Sequence, residues 1–146
     1  MASLCACCCP TSSGWAPGIG HFVNLFGAKT KHYLECLIEK QKPKAIVVCM
    51  IYFLDENSEA NSWANYTLKM LRYNSKPAIL QGFIRYVFHQ ATSKIEINGV
   101  KIVHVPLFEF LDGSNSADYV ERVEPSAQGG EKMAIGIWSR MKNLFK

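Results

Sequence analysis

The sequence predicts one α/β domain in which helices cover both faces of a mostly parallel sheet. The first observation is a run of nine uncharged residues at 45–53, A-I-V-V-C-M-I-Y-F. A run of this length and composition is typical of a strand buried on both faces. The second observation is that segments with helical periodicity lie before and after it. The length of 146 residues and the 49% hydrophobic composition suit a single domain with a substantial core.

Before the central strand, the pattern predicts a short strand over 21–26, a turn at Gly27 and a helix over 28–41. The helix shows one apolar stripe, made by Tyr33, Leu34, Leu37 and Ile38. Strand, glycine turn, helix and central strand together indicate a βαβ unit with a right-handed crossover.

After the central strand, periodicity and turn residues predict four elements before the last helix: a helix over 63–71, a helix from Pro77, a hairpin over 95–102 that continues to Pro106, and a short helical segment over 116–122. Asn98 and Gly99 suit a type I′ turn at the tip of the hairpin. Ser126 is expected to cap the last helix. The core stripe of that helix is predicted to contain Met133, Ala134, Ile137, Trp138, Met141, Leu144 and Phe145.

Charge and hydropathy exclude two classes of protein. The net charge of +4 comes from scattered Lys and Arg residues, so a nucleic-acid surface is not indicated. No stretch reaches the roughly 18 apolar residues that a membrane span requires. No cofactor motif is found.

The cysteines fall into two groups. Cys36 and Cys49 are predicted to be small buried hydrophobes, which indicates a reducing, cytoplasmic environment. The other four crowd the Cys-rich segment 1–18, which is predicted to be a flexible tail: Cys5, Cys7, Cys8 and Cys9. S-palmitoylation and metal binding by these four remain alternatives.

Chemistry is expected first at the end of the central strand. In open α/β sheets, ligands bind beyond the carboxyl ends of the strands. Asp55 and Glu56 are the first carboxylates after the apolar run. The alternative is that they only solvate a turn.

Two stretches carry a family resemblance: N-L-F-G-A-K-T at 24–30 and V-E-P-S-A-Q-G-G-E-K-M-A at 123–134. Together they resemble the SGNH (GDSL-type) hydrolase family of esterases and lipases, whose final helix is opened by a D-x-x-H-P-N-x-x-G-x-x-K-M-A-like segment. The resemblance implies a three-layer, flavodoxin-like α/β fold over 19–146.

The resemblance also implies roles for particular residues. Gly27 would match the glycine whose backbone N–H helps to form the oxyanion hole, and Asp55 alone could correspond to the family's G-x-N-D motif. Glu121 and Glu124 would stand where the family has its catalytic aspartate and histidine. No G-D-S nucleophile motif occurs, and Ser12 and Ser13 lie too close to Gly27 to replace it. The first strand of the fold is therefore expected to be missing, as in a truncated or alternative-start product of a longer protein.

Three functional hypotheses follow. The leading one is a degenerate SGNH-type hydrolase for a small ester-type ligand, weakly active or inactive, with Glu124 as base, Glu121 as its orienting partner, and Gly27 and Asp55 at the pocket. At i, i+3 spacing on a helical turn, the two glutamates could also share a proton, hold a metal or form a solvated face. The second hypothesis is a non-catalytic α/β binding domain, and the third is a Cys-rich, acylated or metal-binding adaptor.

Overall fold

The computed structural model describes residues 18–144, with the side chain of Asn143 excepted. The four N-terminal cysteines and Ser12 and Ser13 therefore lie outside the described residues. The helices are α1 (Ile19–Asn24), α2 (Thr30–Leu37), α3 (Asn65–Met70), α4 (Pro77–Gln90) and α5 (Ala127–Met141). The strands are β1 (Ala45–Met50), β2 (Lys101–Pro106), β3 (Tyr119–Val120) and β4 (Glu124–Pro125).

The described part of the chain is a mixed α/β structure with a small parallel sheet. β1 and β2 pair in parallel, from Ala45 opposite Lys101 to Met50 opposite Pro106. Between them the chain passes through α3 and α4, so this crossover is a βαβ unit. β3 and β4 form a separate antiparallel pair.

The main core lies where α4 packs against β1 and the residues that follow it. The rings of Phe53 and Phe108 stack at a centroid distance of 5.1 Å, and Phe88 meets Phe108 edge-on at 5.6 Å. The buried members of this core are Met50, Phe53, Ile84, Val87, Phe88, Ala91 and Phe108.

The predicted strand over 21–26 and the turn at Gly27 are wrong, because this segment is helical. α1 continues through a π-helical turn, Leu25–Lys29, into α2. Val23 and Phe26, which are three residues apart, pack against the core beside α4. A Cβ on Gly27 would lie 3.2 Å from the Cβ of Ala91, so this glycine lets two helices approach closely. The predicted βαβ unit therefore does not occur before β1.

The prediction that the central strand is buried on both faces is also wrong. β1 ends at Met50, and Val48 and Met50 are buried on the side of α4. Cys49 and Ile51, which alternate with them, are exposed. Among the described elements, α5 packs against β2 more than against β1, which agrees with the exposure of Cys49 and Ile51. Cys36 is exposed as well, so neither of these cysteines is a core residue.

The predicted starts of the last two long helices are confirmed, whereas the hairpin is much reduced. α4 begins with Pro77, and the hydroxyl of Ser126 accepts a hydrogen bond from the Gly129 N–H as the N-cap of α5. The hairpin is a single bridge between Ile97 and Val100. Gly99 has a φ of +77° while Asn98 is not among the residues with positive φ, which fits a type II turn rather than type I′.

Two predictions about the C-terminal third need correction. The helical segment expected over 116–122 extends only over Ser116–Asp118, because β3 follows immediately. Trp138, expected in the core stripe of α5, is 60% exposed. The stripe is rotated because α5 buries Gly129 and Gly136, and a Cβ on Gly136 would meet the Phe110 ring at 2.6 Å.

Candidate site at the carboxyl end of the central strand

The segment after β1 is held in an extended conformation by three backbone hydrogen bonds. The N–H groups of Phe53, Asp55 and Glu56 donate to the carbonyl oxygens of Leu111, Arg122 and Gly113, each at 3.0 Å. These bonds bring the end of the apolar run next to the turn between β3 and β4. The expected position of the site, beyond the carboxyl end of the strand, is where polar side chains gather.

Asp55 is buried and satisfied by the protein. Its side chain Oδ1 accepts a hydrogen bond from the Asn57 N–H at 2.9 Å and one from the Ser116 hydroxyl at 3.0 Å. A buried carboxylate needs such donors, because burial removes its hydration. The alternative that Asp55 only solvates a turn is therefore wrong, since the residue is 2% exposed.

Arg122 lies at the centre of the site, and sequence reasoning did not single it out. It is 1% exposed. Its Nη1 donates to Asn65 Oδ1 at 2.8 Å and to Asn74 Oδ1 at 3.1 Å, and its Nη2 donates to the Asp55 carbonyl at 3.1 Å. Among the described residues no carboxylate forms an ion pair with it, and its Nε has no hydrogen-bond partner. We call Asp55, Asn65, Asn74, Ser116 and Arg122 the carboxyl-end cluster.

The backbone at the cluster is strained. Glu121 and Arg122 have φ values of +49° and +72°, a region that residues with side chains rarely adopt. Two such residues in succession persist only where the surroundings hold them in place. Here the Arg122 carbonyl accepts the bond from Asp55, and its guanidinium group is anchored by three acceptors.

Glu121 and Glu124 lie at the rim of the cluster and not on a helical turn. Glu121 is in the turn between β3 and β4, and its carbonyl accepts a hydrogen bond from the Ser62 hydroxyl. Glu124 is in β4, and its Oε1 accepts the indole N–H of Trp63 at 3.1 Å. Both side chains are exposed. The negative charge of Glu124 adds to the effect of burial in raising the pKa of Tyr52, whose hydroxyl donates to the Val123 carbonyl.

Gly27 lies at a different end of the molecule from the other predicted site residues. It packs on Ala91, just past the end of α4, whereas Gln81 near the start of α4 donates a hydrogen bond to Glu56. Ten helical residues correspond to roughly 15 Å along the axis. The structure thus brings Asp55, Glu121 and Glu124 together but not Gly27. Instead, Gly27 lines a groove of about 430 Å³ between the N-terminal helices and the end of α4.

The cluster contains a serine but no imidazole. The only hydrogen bond described for the Ser116 hydroxyl goes to the Asp55 carboxylate. The four histidines lie beside residues outside the cluster: His21 beside Phe22, His32 beside Cys36, His89 beside Phe88 and His104 beside Ile95. A serine nucleophile normally depends on an adjacent base whose pKa lies near the working pH.

Within residues 18–144, no three His, Cys, Asp or Glu side chains are grouped so that they could hold a metal ion. In the same part of the chain, no helix combines the length and the apolar character needed to cross a membrane. No protein-family model, curated protein or solved structure matches the chain.

Proposed function

We propose that this chain is an SGNH-like domain that binds a small ester-type ligand at the carboxyl-end cluster without hydrolysing it. The proposal includes a three-layer, flavodoxin-like architecture of which β1 and β2 form a part. The observation that supports it is the pairing of Ser116 with Asp55 at a site without imidazole. A hydroxyl that faces only a carboxylate lacks the usual base for attack on an ester.

A binding role agrees with the construction of the site. The polar groups lie beyond the end of a parallel strand, where ligands of α/β domains bind. Asp55 and Arg122 are buried and held by hydrogen bonds, while Ser116 and Glu124 are exposed above them. Because the buried polar groups are already held in place, a ligand that contacts the exposed ones beside them would be oriented with little loss of conformational entropy.

The absence of hydrolysis is tested with a fluorophosphonate probe and intact-mass measurement. An active serine esterase serves as the positive control, and the Ser116→Ala variant is the matched control. We expect no covalent adduct on the folded protein. An adduct that disappears in the Ser116→Ala variant would overturn the non-catalytic assignment and would make Ser116 the nucleophile.

Binding is tested by titrating the ¹⁵N-labelled protein with ethyl butyrate and, separately, with butyrate. We expect chemical-shift changes in the amides of 55–57 and 121–124. The amides of Gly27 and Lys94, which line the separate groove, should not change. Changes confined to that groove, or no changes at all, would contradict a ligand site at the carboxyl-end cluster.

The adaptor hypothesis depends on Cys5, Cys7, Cys8 and Cys9, which lie outside the described residues, and it stays a prediction. Replacing all four with serine should abolish zinc content or membrane partitioning if that hypothesis is correct.

A further inference from the structure

The outward side of α3 carries large apolar side chains, which is unusual for a surface helix. Ala64 and Leu68 point inward and are buried with Tyr73. On the opposite side, Trp63, Tyr66 and Met70 follow the i, i+3, i+7 spacing of one helical face, with Trp63 in the turn before the helix. Their exposed fractions are 68%, 75% and 69%, and Leu71 beside them is 51% exposed.

A surface helix normally directs polar side chains toward solvent. Large apolar side chains that are exposed singly need no explanation, but Trp63, Tyr66 and Met70 are neighbours at helical spacing and form one patch, with Leu71 at its C-terminal end. Patches of this kind mark sites of interaction with a protein or a membrane. The composition of the patch and the charges around it distinguish the two kinds of partner.

Basic side chains border the patch on the side of its C-terminal end. Lys69, Arg72 and Lys76 are exposed, and none of them takes part in an ion pair within residues 18–144. The acidic residues lie at the other end of the patch. There the Glu124 carboxylate accepts a hydrogen bond from the Trp63 indole N–H, and the Glu121 backbone carbonyl accepts one from the Ser62 hydroxyl. The patch therefore has a basic end around Met70 and an acidic end around Trp63.

We propose that this surface docks onto an anionic lipid membrane. We define it as the α3 face: Trp63, Tyr66, Lys69, Met70, Leu71, Arg72 and Lys76. Tyr66, Met70 and Leu71 would enter the headgroup region, where amphipathic rings and apolar side chains are stabilised. Lys69, Arg72 and Lys76 would contact lipid phosphates and carboxylates. Charge complementarity at the Met70 end selects this partner, since Lys69, Arg72 and Lys76 adjoin the apolar side chains there. Glu121 and Glu124 lie at the far end, which would face away from the lipid.

The mode of binding is peripheral. α3 has six residues, about 9 Å of helix, which can lie on a membrane but not cross it. Each basic side chain near an anionic surface contributes a factor of about five in affinity. Removing two of them should therefore weaken binding about 25-fold.

The test uses the full chain with Cys5, Cys7, Cys8 and Cys9 replaced by serine, so that acylation cannot contribute. Sucrose-loaded vesicles of phosphatidylcholine with 30% phosphatidylserine are compared with pure phosphatidylcholine by sedimentation. We expect binding to the anionic vesicles that weakens as salt is raised. The double variant Lys69→Gln/Arg72→Gln should bind about 25-fold more weakly, and Tyr66→Ser/Met70→Ser should lose binding.

The matched controls change equally exposed residues elsewhere. Ile135 on α5 is 61% exposed, and Lys101 on β2 is exposed, so Ile135→Ser and Lys101→Gln should bind as the parent does. Circular dichroism and thermal unfolding check that each variant is folded. Equal loss in the Ile135→Ser variant, or no sedimentation with anionic vesicles, would overturn the proposal. So would a dimer of the parent in light scattering that Tyr66→Ser/Met70→Ser dissociates, because the α3 face would then be a protein interface.

Discussion

The adjacent glycines at the start of α5 provide a sharp test of how this helix is placed. A Cβ on Gly129 would overlap the carbonyl oxygen of Asp118, and it would lie 3.0 Å from the Asp118 carbonyl carbon and 3.3 Å from Leu111 Cδ2. The same carbonyl oxygen accepts the Ser126 N–H at 2.9 Å. A Cβ on Gly130 would meet nothing within 4 Å. We expect alanine to have opposite effects at these two neighbouring positions.

The magnitudes follow from three contributions. A Cβ atom normally stays about 3.5 Å from other heavy atoms, so Gly129→Ala must displace the backbone at Asp118. Overpacking of this kind costs about 1–3 kcal/mol, and weakening the bond from Ser126 costs about 1 kcal/mol more. Alanine gains back about 1 kcal/mol of helix propensity. The net change is a loss of about 2 kcal/mol for Gly129→Ala, against a gain of up to about 1 kcal/mol for Gly130→Ala.

Thermal unfolding followed by circular dichroism at 222 nm measures both variants under the same conditions. At about 4 °C per kcal/mol for a domain of this size, the two melting temperatures should differ by roughly 12 °C. Equal melting temperatures, or a more stable Gly129→Ala variant, would show that α5 does not approach the 116–118 turn as described. The described position of Glu124, which lies just before α5 in the chain, would then also be wrong.

Three further changes test other parts of the fold. Ser126→Ala removes the N-cap of α5 and should lower the free energy of unfolding by about 1 kcal/mol in a urea titration; an unchanged midpoint would contradict the cap. Gly99→Ala forces a side chain to a φ of +77° and should cost about 1 kcal/mol in the same assay, whereas no loss would contradict the turn. Burial raises the pKa of Tyr119, so the stability that its protonated hydroxyl contributes is fully present below about pH 10 and is lost as the pH rises beyond it. The free energy of unfolding, measured from pH 8 to 12, should therefore fall less steeply above pH 10 in Tyr119→Phe than in the parent protein. An identical fall in the two proteins would show that Tyr119 does not contribute to the pH dependence.

Three elements follow from strong local signals. The uncharged run predicted β1, Pro77 marked the first residue of α4, and Ser126 marked the cap of α5. The Pro77 and Ser126 signals act within one helical turn, so they depend little on distant contacts. Asp55, the first carboxylate after the apolar run, belongs to the polar cluster at the end of this strand, but a functional site there stays a prediction.

The N-terminal segment shows where local pattern fails. The short apolar stretch H-F-V-N-L-F before Gly27 predicts a strand, but Val23 and Phe26 are three residues apart and reach the core from one side of a helix. A strand would direct Val23 and Phe26 to opposite faces, whereas a helix directs both toward the core beside α4. The exposure of Cys49 has a similar origin, since the coverage of a strand face depends on where a distant helix, α5, packs.

Arg122 was missed for a different reason. Nothing in V-E-R-V-E-P indicates that the arginine is buried, because arginine is ordinarily an exposed residue. Its burial depends on Asn65, Asn74 and the Asp55 carbonyl, which are distant in sequence. The backbone has a positive φ at Glu121 and at Arg122. Glycine usually marks such positions in a sequence, and this turn contains none.

Several residues of the 123–134 stretch, one of the two that carry the family resemblance, have structural roles. Ser126 caps α5, Gly129 allows close approach to Asp118, and the Lys132 ammonium group forms an ion pair with the buried Asp118 carboxylate at 2.6 Å. These are demands of packing, and they would be the same in an active or an inactive domain. Glu124 is the position in this segment where hydrolysis would require particular chemistry, and its carboxylate accepts the Trp63 indole N–H instead of facing a serine hydroxyl. The packing residues of this stretch therefore say nothing for or against hydrolysis, which is why the chemical test at Ser116 carries more weight than the resemblance itself.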